Sequence, residues 1–202
     1  MRFFEYGHTE IEHLKRRDKK LGEAIDRIGM LQREIRPDPF TALISSIVSQ
    51  QISKKAAETV WNRLAVLIGR ITPENIATIS LDEIQSCGMS ARKAGYIQGI
   101  ANAATYGLVN FDTLYTLSDE EIIKKLSSLN GVGVWTAEML LIFSLCRPDV
   151  VSYGDLAIRR GMMNLYGLKE LPKEKFDRYV KRYSPYGSVA SLYLWELSVV
   201  EC

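Results

Sequence analysis

The sequence predicts an all-α fold, and three observations carry that expectation. Ser80-Leu-Asp-Glu83 and Ser118-Asp-Glu-Glu121 are capping boxes. In each, a serine accepts an orphan backbone N–H and a glutamate three residues on reaches back. Phe40, Leu43, Ile44, Ile47 and Val48 recur at the three/four spacing of a buried helical stripe. No alternating apolar and polar run is bounded by hairpin turn residues, so no sheet is expected; Val150-Val151 is too short to count.

In chain order, helices are expected near 9–17, 20–34 and 38–49, the last carrying the apolar stripe. Ser49-Gln-Gln-Ile-Ser53 is a polar break before a helix at 53–68. Thr72-Pro73 puts a capping residue ahead of a proline at the first helical position and opens 73–79. The Ser80 box opens 81–86, and Ser90 caps 91–107. A short helix at 112–116 precedes the Ser118 box, which opens 119–127. A glycine turn leads into 134–146, and Asp155 stands at the start of 155–166. Helices at 172–183 and 187–200 complete the series.

Composition narrows the class. The chain has 202 residues, 47% of them hydrophobic and 25% charged, which suits a soluble globular protein with one core or two small lobes. No apolar run approaches the roughly 20 residues that cross a bilayer. Met-Arg-Phe-Phe-Glu-Tyr lacks the pattern of a secretory signal, so an intracellular protein with no membrane association is expected. Cys87, Cys146 and Cys202 are scattered and odd in number, with neither zinc-site nor disulfide spacing, and read as reduced thiols. The net charge of +2 and a pI near 8.4 point only weakly to a nucleic-acid partner.

The informative segment is Leu129-Asn-Gly-Val-Gly-Val-Trp-Thr-Ala137, together with the stretch that leads on to Arg159. Gly131 and Gly133 flank Val132 between two helices. Glycine leaves the backbone bare, and the amides of such a turn, joined to a helix start, can hold a phosphate. Lys124 and Lys125 lie nearby. Taken alone, an ordinary tight helix–helix turn is the better reading of Gly-x-Gly. Asp155 stands twenty residues beyond Trp135 and precedes Leu-Ala-Ile-Arg159. It can simply cap a helix, or hold a carboxylate for chemistry, and the two roles are compatible.

Together these motifs resemble the helix-hairpin-helix DNA glycosylases, the HhH-GPD superfamily, and within it the 3-methyladenine glycosylase II or alkylation-repair branch. The hairpin fits Leu-Pro-Gly-Val/Ile-Gly-x-x-Thr-Ala, with Asn130 where proline is usual. The downstream stretch fits Val-Asp-x-x-Val/Ile-x-Arg, with Gly154 before the aspartate. The resemblance runs from about Tyr6 to Trp195 and lacks the extra N-terminal domain of some members. It implies a central helical barrel over 36–140 and a second lobe from 1–35 plus 141–202, with DNA and the active site in the cleft between them.

The resemblance also assigns roles. Asp155 is the catalytic group. Gln51 is the wedge that fills the gap left by a flipped base, with Gln50 supporting it. Gly131, Val132, Gly133, Thr136, Ser53, Lys54, Arg92 and Lys93 contact the DNA backbone. The hairpin carbonyls hold a sodium or potassium ion in relatives. Three scattered cysteines cannot supply the four that some relatives use for an iron–sulfur cluster, so no cluster and no other cofactor is expected. The late segment Pro185-Tyr186-Gly-Ser-Val-Ala resembles Pro-Trp/Tyr-Arg-Ser-x-Ala, making Tyr186 a second wall of the base pocket beside Trp135. Gly187 replaces the usual arginine, and Trp195 reads as a core aromatic. His8 and His13 are not placed near Asp155 by anything in the sequence.

The expected activity is hydrolysis of the N-glycosidic bond of an alkylated purine in double-stranded DNA by a monomeric enzyme that flips the base. A single carboxylate suffices when the leaving base is already cationic. Glycosylases for hypoxanthine, ethenoadenine or oxidised bases, and a non-catalytic hairpin DNA binder, stay open, although Asp155 has no purpose in the last. Bifunctional relatives carry a lysine at the position of Trp135, and indole cannot form a Schiff base. The product DNA should therefore stay unnicked until alkali or heat is applied, and borohydride should trap no covalent adduct.

Overall fold

A computed structural model describes residues 2–199. Its elements in order are β1 (Arg2–Phe3), α1 (His8–Arg17), α2 (Lys19–Ile28), β2 (Glu34–Ile35), α3 (Pro39–Ser49), α4 (Lys54–Ile68), α5 (Pro73–Ala77), α6 (Leu81–Ser86), α7 (Ala91–Thr105), a 3₁₀ helix (Phe111–Thr116), α8 (Asp119–Ser127), α9 (Val134–Phe143), α10 (Leu156–Tyr166), α11 (Lys173–Tyr183) and α12 (Gly187–Leu197). The fold is all-α, as the sequence predicts. It divides into two compact units, Arg36–Leu140 and Met1–Ile35 with Leu141–Cys202.

The caps form as expected. Glu83 N–H donates to Ser80 Oγ at 3.3 Å, and Ser80 N–H donates to Glu83 Oε2 at 3.0 Å. The Ser118–Glu121 box has the same reciprocal bonds, at 3.3 and 2.8 Å. Thr72 and Ser90 cap α5 and α7. Within Arg36–Leu140, α7 packs on α3, α5 and α6. Leu43, Ile44, Ile47, Leu64, Ile76 and Ile97 are buried in its core.

Several boundaries differ from expectation. The helix expected over 20–34 stops at Ile28, because Gly29 turns to φ 78°. The chain then returns to pair Glu34–Ile35 antiparallel with Arg2–Phe3, so a two-stranded ribbon exists where no sheet was expected. The helix expected to reach 146 ends at Phe143: Cys146 adopts φ 52° and Arg147 N–H bonds back to Leu141. The segment expected as a helix at 112–116 is a 3₁₀ helix. Helix α12 ends at Leu197, short of 200. Val200 and Cys202 lie outside the described residues.

The second unit is organised by α10 and α12, with α1, α2 and α11 packed around them. Phe176, Tyr183 and Tyr193 fill its core. Gly161 lets the two helices touch: a Cβ there would lie 1.8 Å from the Leu194 carbonyl oxygen. Gly161→Ala should therefore cost about 3 kcal/mol or more in urea unfolding, since the obstacle is backbone and cannot rotate away. Gly95→Ala, on the exposed face of α7 where a Cβ meets nothing within 4 Å, should stabilise by up to about 1 kcal/mol.

Candidate functional site

The hairpin is built by short-range bonds. Helix α8 ends with Leu129 N–H donating to Leu126 at 3.0 Å, and Val132 N–H then donates to the Leu129 carbonyl at 3.1 Å. Gly131 sits at φ 85°, and a Cβ there would strike the Tyr96 ring at 2.3 Å. Glycine at 131 is thus required by the protein itself. Gly133 is different: it is exposed, and a Cβ there would meet nothing within 4 Å. Its bareness matters only to something arriving from outside.

Helix α9 begins at Val134, with Ala137 N–H donating to the Gly133 carbonyl. Its first-turn N–H groups have no intrahelical acceptor and point outward from the helix start. Val134 and Trp135 are 54% and 44% exposed there. Two of the residues expected on the DNA backbone are buried. Val132 is 6% exposed and its N–H is already used within the turn. Thr136 is buried, 5% exposed at the start of α9.

The polar break between α3 and α4 is locked to this hairpin. Gln50 Nε2 donates to the Gly131 carbonyl at 3.0 Å. Lys93 donates to the Val48 carbonyl at 2.9 Å and to the Gln50 carbonyl. Lys93 was expected on DNA; instead it caps the C-terminus of α3, where the helix dipole favours a cation. Burial holds its ammonium below the usual lysine range. Sequence could not find this, because the acceptors lie more than forty residues away. Between these anchors Gln51 is exposed at φ 58°, a left-handed conformation that costs about 1–2 kcal/mol for a residue with a Cβ. Ser53 caps α4, accepting from Ala56 N–H at 3.3 Å. Lys54 and Arg92 are exposed at the starts of α4 and α7.

Asp155 belongs to the other unit. It is 6% exposed and forms the N-cap of α10. Its Oδ1 accepts from Ala157 N–H at 2.8 Å and Ile158 N–H at 2.9 Å. Its Oδ2 accepts from Trp195 Nε1 at 3.3 Å. Trp195, expected as plain core, is thus a site residue that sequence reasoning missed. Its ring also packs on Phe143 at 5.3 Å. The signal lay in its place on α12, but only the contact at Gly161 reveals which helix start it reaches.

Tyr186 is half-buried and meets the His13 ring edge-to-face at 5.1 Å. His13 Nε2 lies 2.9 Å from the Ser184 carbonyl, which requires the proton on that nitrogen. The departure at Gly187 has a cause. Its N–H donates to Asp149 Oδ1 at 2.9 Å, and a Cβ would come within 2.7 Å of that oxygen and 2.8 Å of Val151. Asp149 occupies the start of α12, so an arginine at 187 would force the Asp149 carboxylate and the Val151 side chain to shift. Arg159 lies over the Tyr153 ring at 4.9 Å.

Residues 44–185 match the model of the HhH-GPD superfamily base excision DNA repair proteins. The chain is 36% identical over 195 residues to DNA-3-methyladenine glycosylase 1 of Schizosaccharomyces pombe, covering 93% of this chain and 82% of that one. A crystal structure of a DNA-3-methyladenine glycosidase from Bacillus halodurans superimposes with a TM-score of 0.90 at 36% identity, over 99% of this chain and 94% of that one. The structure of the Schizosaccharomyces pombe 3-methyladenine DNA glycosylase Mag1 with abasic DNA matches with a TM-score of 0.81 at 33% identity, over 94% and 96%.

The two hairpin glycines separate experimentally. Gly133→Val should cost only about 1 kcal/mol of stability, the usual penalty for a poor N-cap, yet weaken duplex binding at every sequence. Gly131→Ala should instead destabilise by about 3 kcal/mol, from its left-handed φ and the Tyr96 clash. Undiminished duplex affinity in Gly133→Val would remove the hairpin from DNA binding.

Proposed function

This chain belongs to the HhH-GPD superfamily of base excision DNA repair proteins, and on that premise we propose how its residues act. The protein is a DNA-binding glycosylase of alkylation repair, a hydrolase of the N-glycosylase type. The reading is that it works as an intracellular monomer on double-stranded DNA carrying an alkylated purine.

The observation that carries the mechanism is the carboxylate of Asp155, gripped by two backbone amides and an indole N–H. These donors fix both oxygens in place. The hairpin amides of Gly133 and Val134 take a phosphate, with Ser53, Lys54 and Arg92 adding backbone contacts. The hairpin carbonyls of Leu129 and Gly131 each accept one N–H and keep a lone pair. They would hold a monovalent cation, sodium or potassium, whose charge helps bind the phosphate. Gln51 enters the stack as the damaged nucleotide leaves it, and Gln50 and Lys93 hold that loop in place. Trp135 offers an aromatic face to the extruded base, worth roughly 0.5–2 kcal/mol when the base is cationic.

The bond from C1′ to the base nitrogen then breaks, and its electron pair goes to the base, neutralising the alkylated ring. Positive charge on the sugar is stabilised by Asp155. Water adds at C1′ and gives up a proton, leaving an abasic site and a free base. Trp135 in place of lysine leaves no amine to attack the sugar there, consistent with hydrolysis alone.

Asp155→Asn keeps an oxygen for the two amide bonds but turns its amide nitrogen towards the Trp195 N–H, so stability should fall by about 1–3 kcal/mol. Single-turnover release of methylated bases should fall by at least ~100-fold while DNA affinity holds. Turnover near wild type would sink the assignment. Trp195→Phe, which keeps the packing on Phe143 and loses the donor, should slow release by roughly 10-fold without weakening binding.

A further inference from the structure

The run Arg16-Arg17-Asp18-Lys19-Lys20 has no part in the site described above. Asp18 alone connects α1 to α2, and the four cations around it are all exposed. The corner is held from inside. Asp18 is 4% exposed; its N–H donates to the Leu14 carbonyl at 2.9 Å, and its Oδ1 accepts from Leu21 N–H at 3.1 Å. Its Oδ2 accepts from the Tyr166 hydroxyl at 2.6 Å and from Arg182 at 3.1 Å. The Tyr166 proton is spent on Asp18, so the Tyr183 hydroxyl, 2.8 Å away, donates to Tyr166. The Tyr166 ring stacks on Tyr179 at 3.8 Å, with the Lys20 ammonium 6.0 Å over the one and the Arg182 guanidinium 4.9 Å over the other.

Two of these charges work against the fold. Arg16 and Arg17 stand at the end of α1 and complement its dipole. Lys19 and Lys20 are the first residues of α2, where the dipole is positive and a carboxylate is preferred, yet no acidic residue stands in that turn. Like charges so close also repel one another. Among the described residues none of the four pairs with a carboxylate. Glu12 and Asp26 are taken by Lys15, Asp18 by Arg182, and Glu23, one turn into α2, pairs with no cation. Charge kept against a helix dipole, on a corner too firmly bonded to spread apart, points to an anion that arrives from outside.

That anion is not the one that meets Asp155. Asp155 caps the first turn of α10, and Tyr166 is the last residue of the same helix, about 16 Å further on. The Debye length at physiological salt is about 8 Å, so the corner adds little to the field at the carboxylate and needs phosphates of its own. We propose that the α1–α2 corner is a second DNA site, which holds backbone phosphates away from the damaged nucleotide, whatever the sequence. Guanidinium and ammonium groups without partners suit that ligand. The phosphates belong either to the duplex flanking the lesion or to a second duplex, and the chemistry is the same. Such a contact keeps the protein on undamaged DNA between one lesion and the next.

The test compares the wild-type chain with Lys19→Gln/Lys20→Gln and with a fourfold variant that adds Arg16→Gln and Arg17→Gln. Binding to undamaged duplexes of about one and about three helical turns is followed against salt. With the longer duplex, the slope of log K against log salt should fall by nearly two in the double variant and by about three in the fourfold one. The urea midpoint of the double variant should rise, because two cations leave the positive end of α2. Single-turnover base release from a saturating one-turn damaged duplex should stay at the wild-type rate in both. A loss confined to the longer duplex assigns the phosphates to flanking DNA. A loss at both lengths, with dissociation that unlabelled duplex speeds in the wild type and not in the variants, assigns them to a second duplex. Unchanged slopes in both variants overturn the proposal. So does a lowered urea midpoint in the double variant, which would make these lysines part of the fold. Weakened binding to phosphatidylserine vesicles with the DNA slopes intact also overturns it. Slopes that fall in a protein that releases no base would leave this site standing and refute the enzymatic reading.

Discussion

The contact of α10 with α12 at Gly161 is the constraint on which the chemistry depends. Without a Cβ at 161, the backbone of Leu194 can lie against α10. The next residue is Trp195, whose indole N–H reaches one oxygen of Asp155. The start of α10 holds the other oxygen. A missing methyl group in mid-helix is therefore tied to the orientation of a carboxylate at the start of the same helix. Asp149 does similar work at the start of α12, where it binds the Gly187 amide and crowds the space a side chain there would take. Asp149 and Asp155 are both short carboxylates at helix starts, but only Asp155 stands in the sequence frame of the catalytic residue.

In the other unit, rigidity serves to place two loops together. The Gly131 carbonyl takes the Gln50 amide, and Lys93 ties the Gln50 and Val48 carbonyls. The hairpin and the Gln50-Gln51 loop are thus tied to one another by hydrogen bonds. Gln51 is held at positive φ between these anchors, a strain of about 1–2 kcal/mol that a loop without them would relax. Strain that persists at an exposed polar residue marks a side chain positioned for an encounter rather than for the core. Gly133 tells the same story from the opposite direction, since nothing in the protein fills the space beside it.

Legibility in the sequence depends on range. Caps are local: Ser80 with Glu83 and Ser118 with Glu121 need only three residues of spacing, and both form. The hairpin and Asp155 were legible because their spacing matches a known family. The β1–β2 ribbon was not, because two residues on each side, more than thirty apart, carry no period. Nor were the roles of Lys93 and Trp195. A lysine at a helix start looks solvated, and a tryptophan late in an apolar helix looks buried; only the fold shows a carbonyl or a carboxylate at the end of each. Val132 and Thr136 depart from their reading in the sequence only in burial. They belong to the motif, but the motif's tight turn is what turns them inward.

Among the described residues the mechanism assigns one carboxylate and no acid, and that limits which bases can leave. His13 packs on Tyr186, but its Nε2 proton is committed to the Ser184 carbonyl, so it is poorly placed to protonate a departing base. A neutral purine would have to leave as an anion. An alkylated purine leaves neutral, and only the sugar needs help. Selection can then arise from the chemistry of the leaving group more than from a close-fitting pocket. Trp135, nearly half exposed at the start of α9, suits such a scheme: an aromatic face attracts electron-poor rings of many shapes without reading their edges.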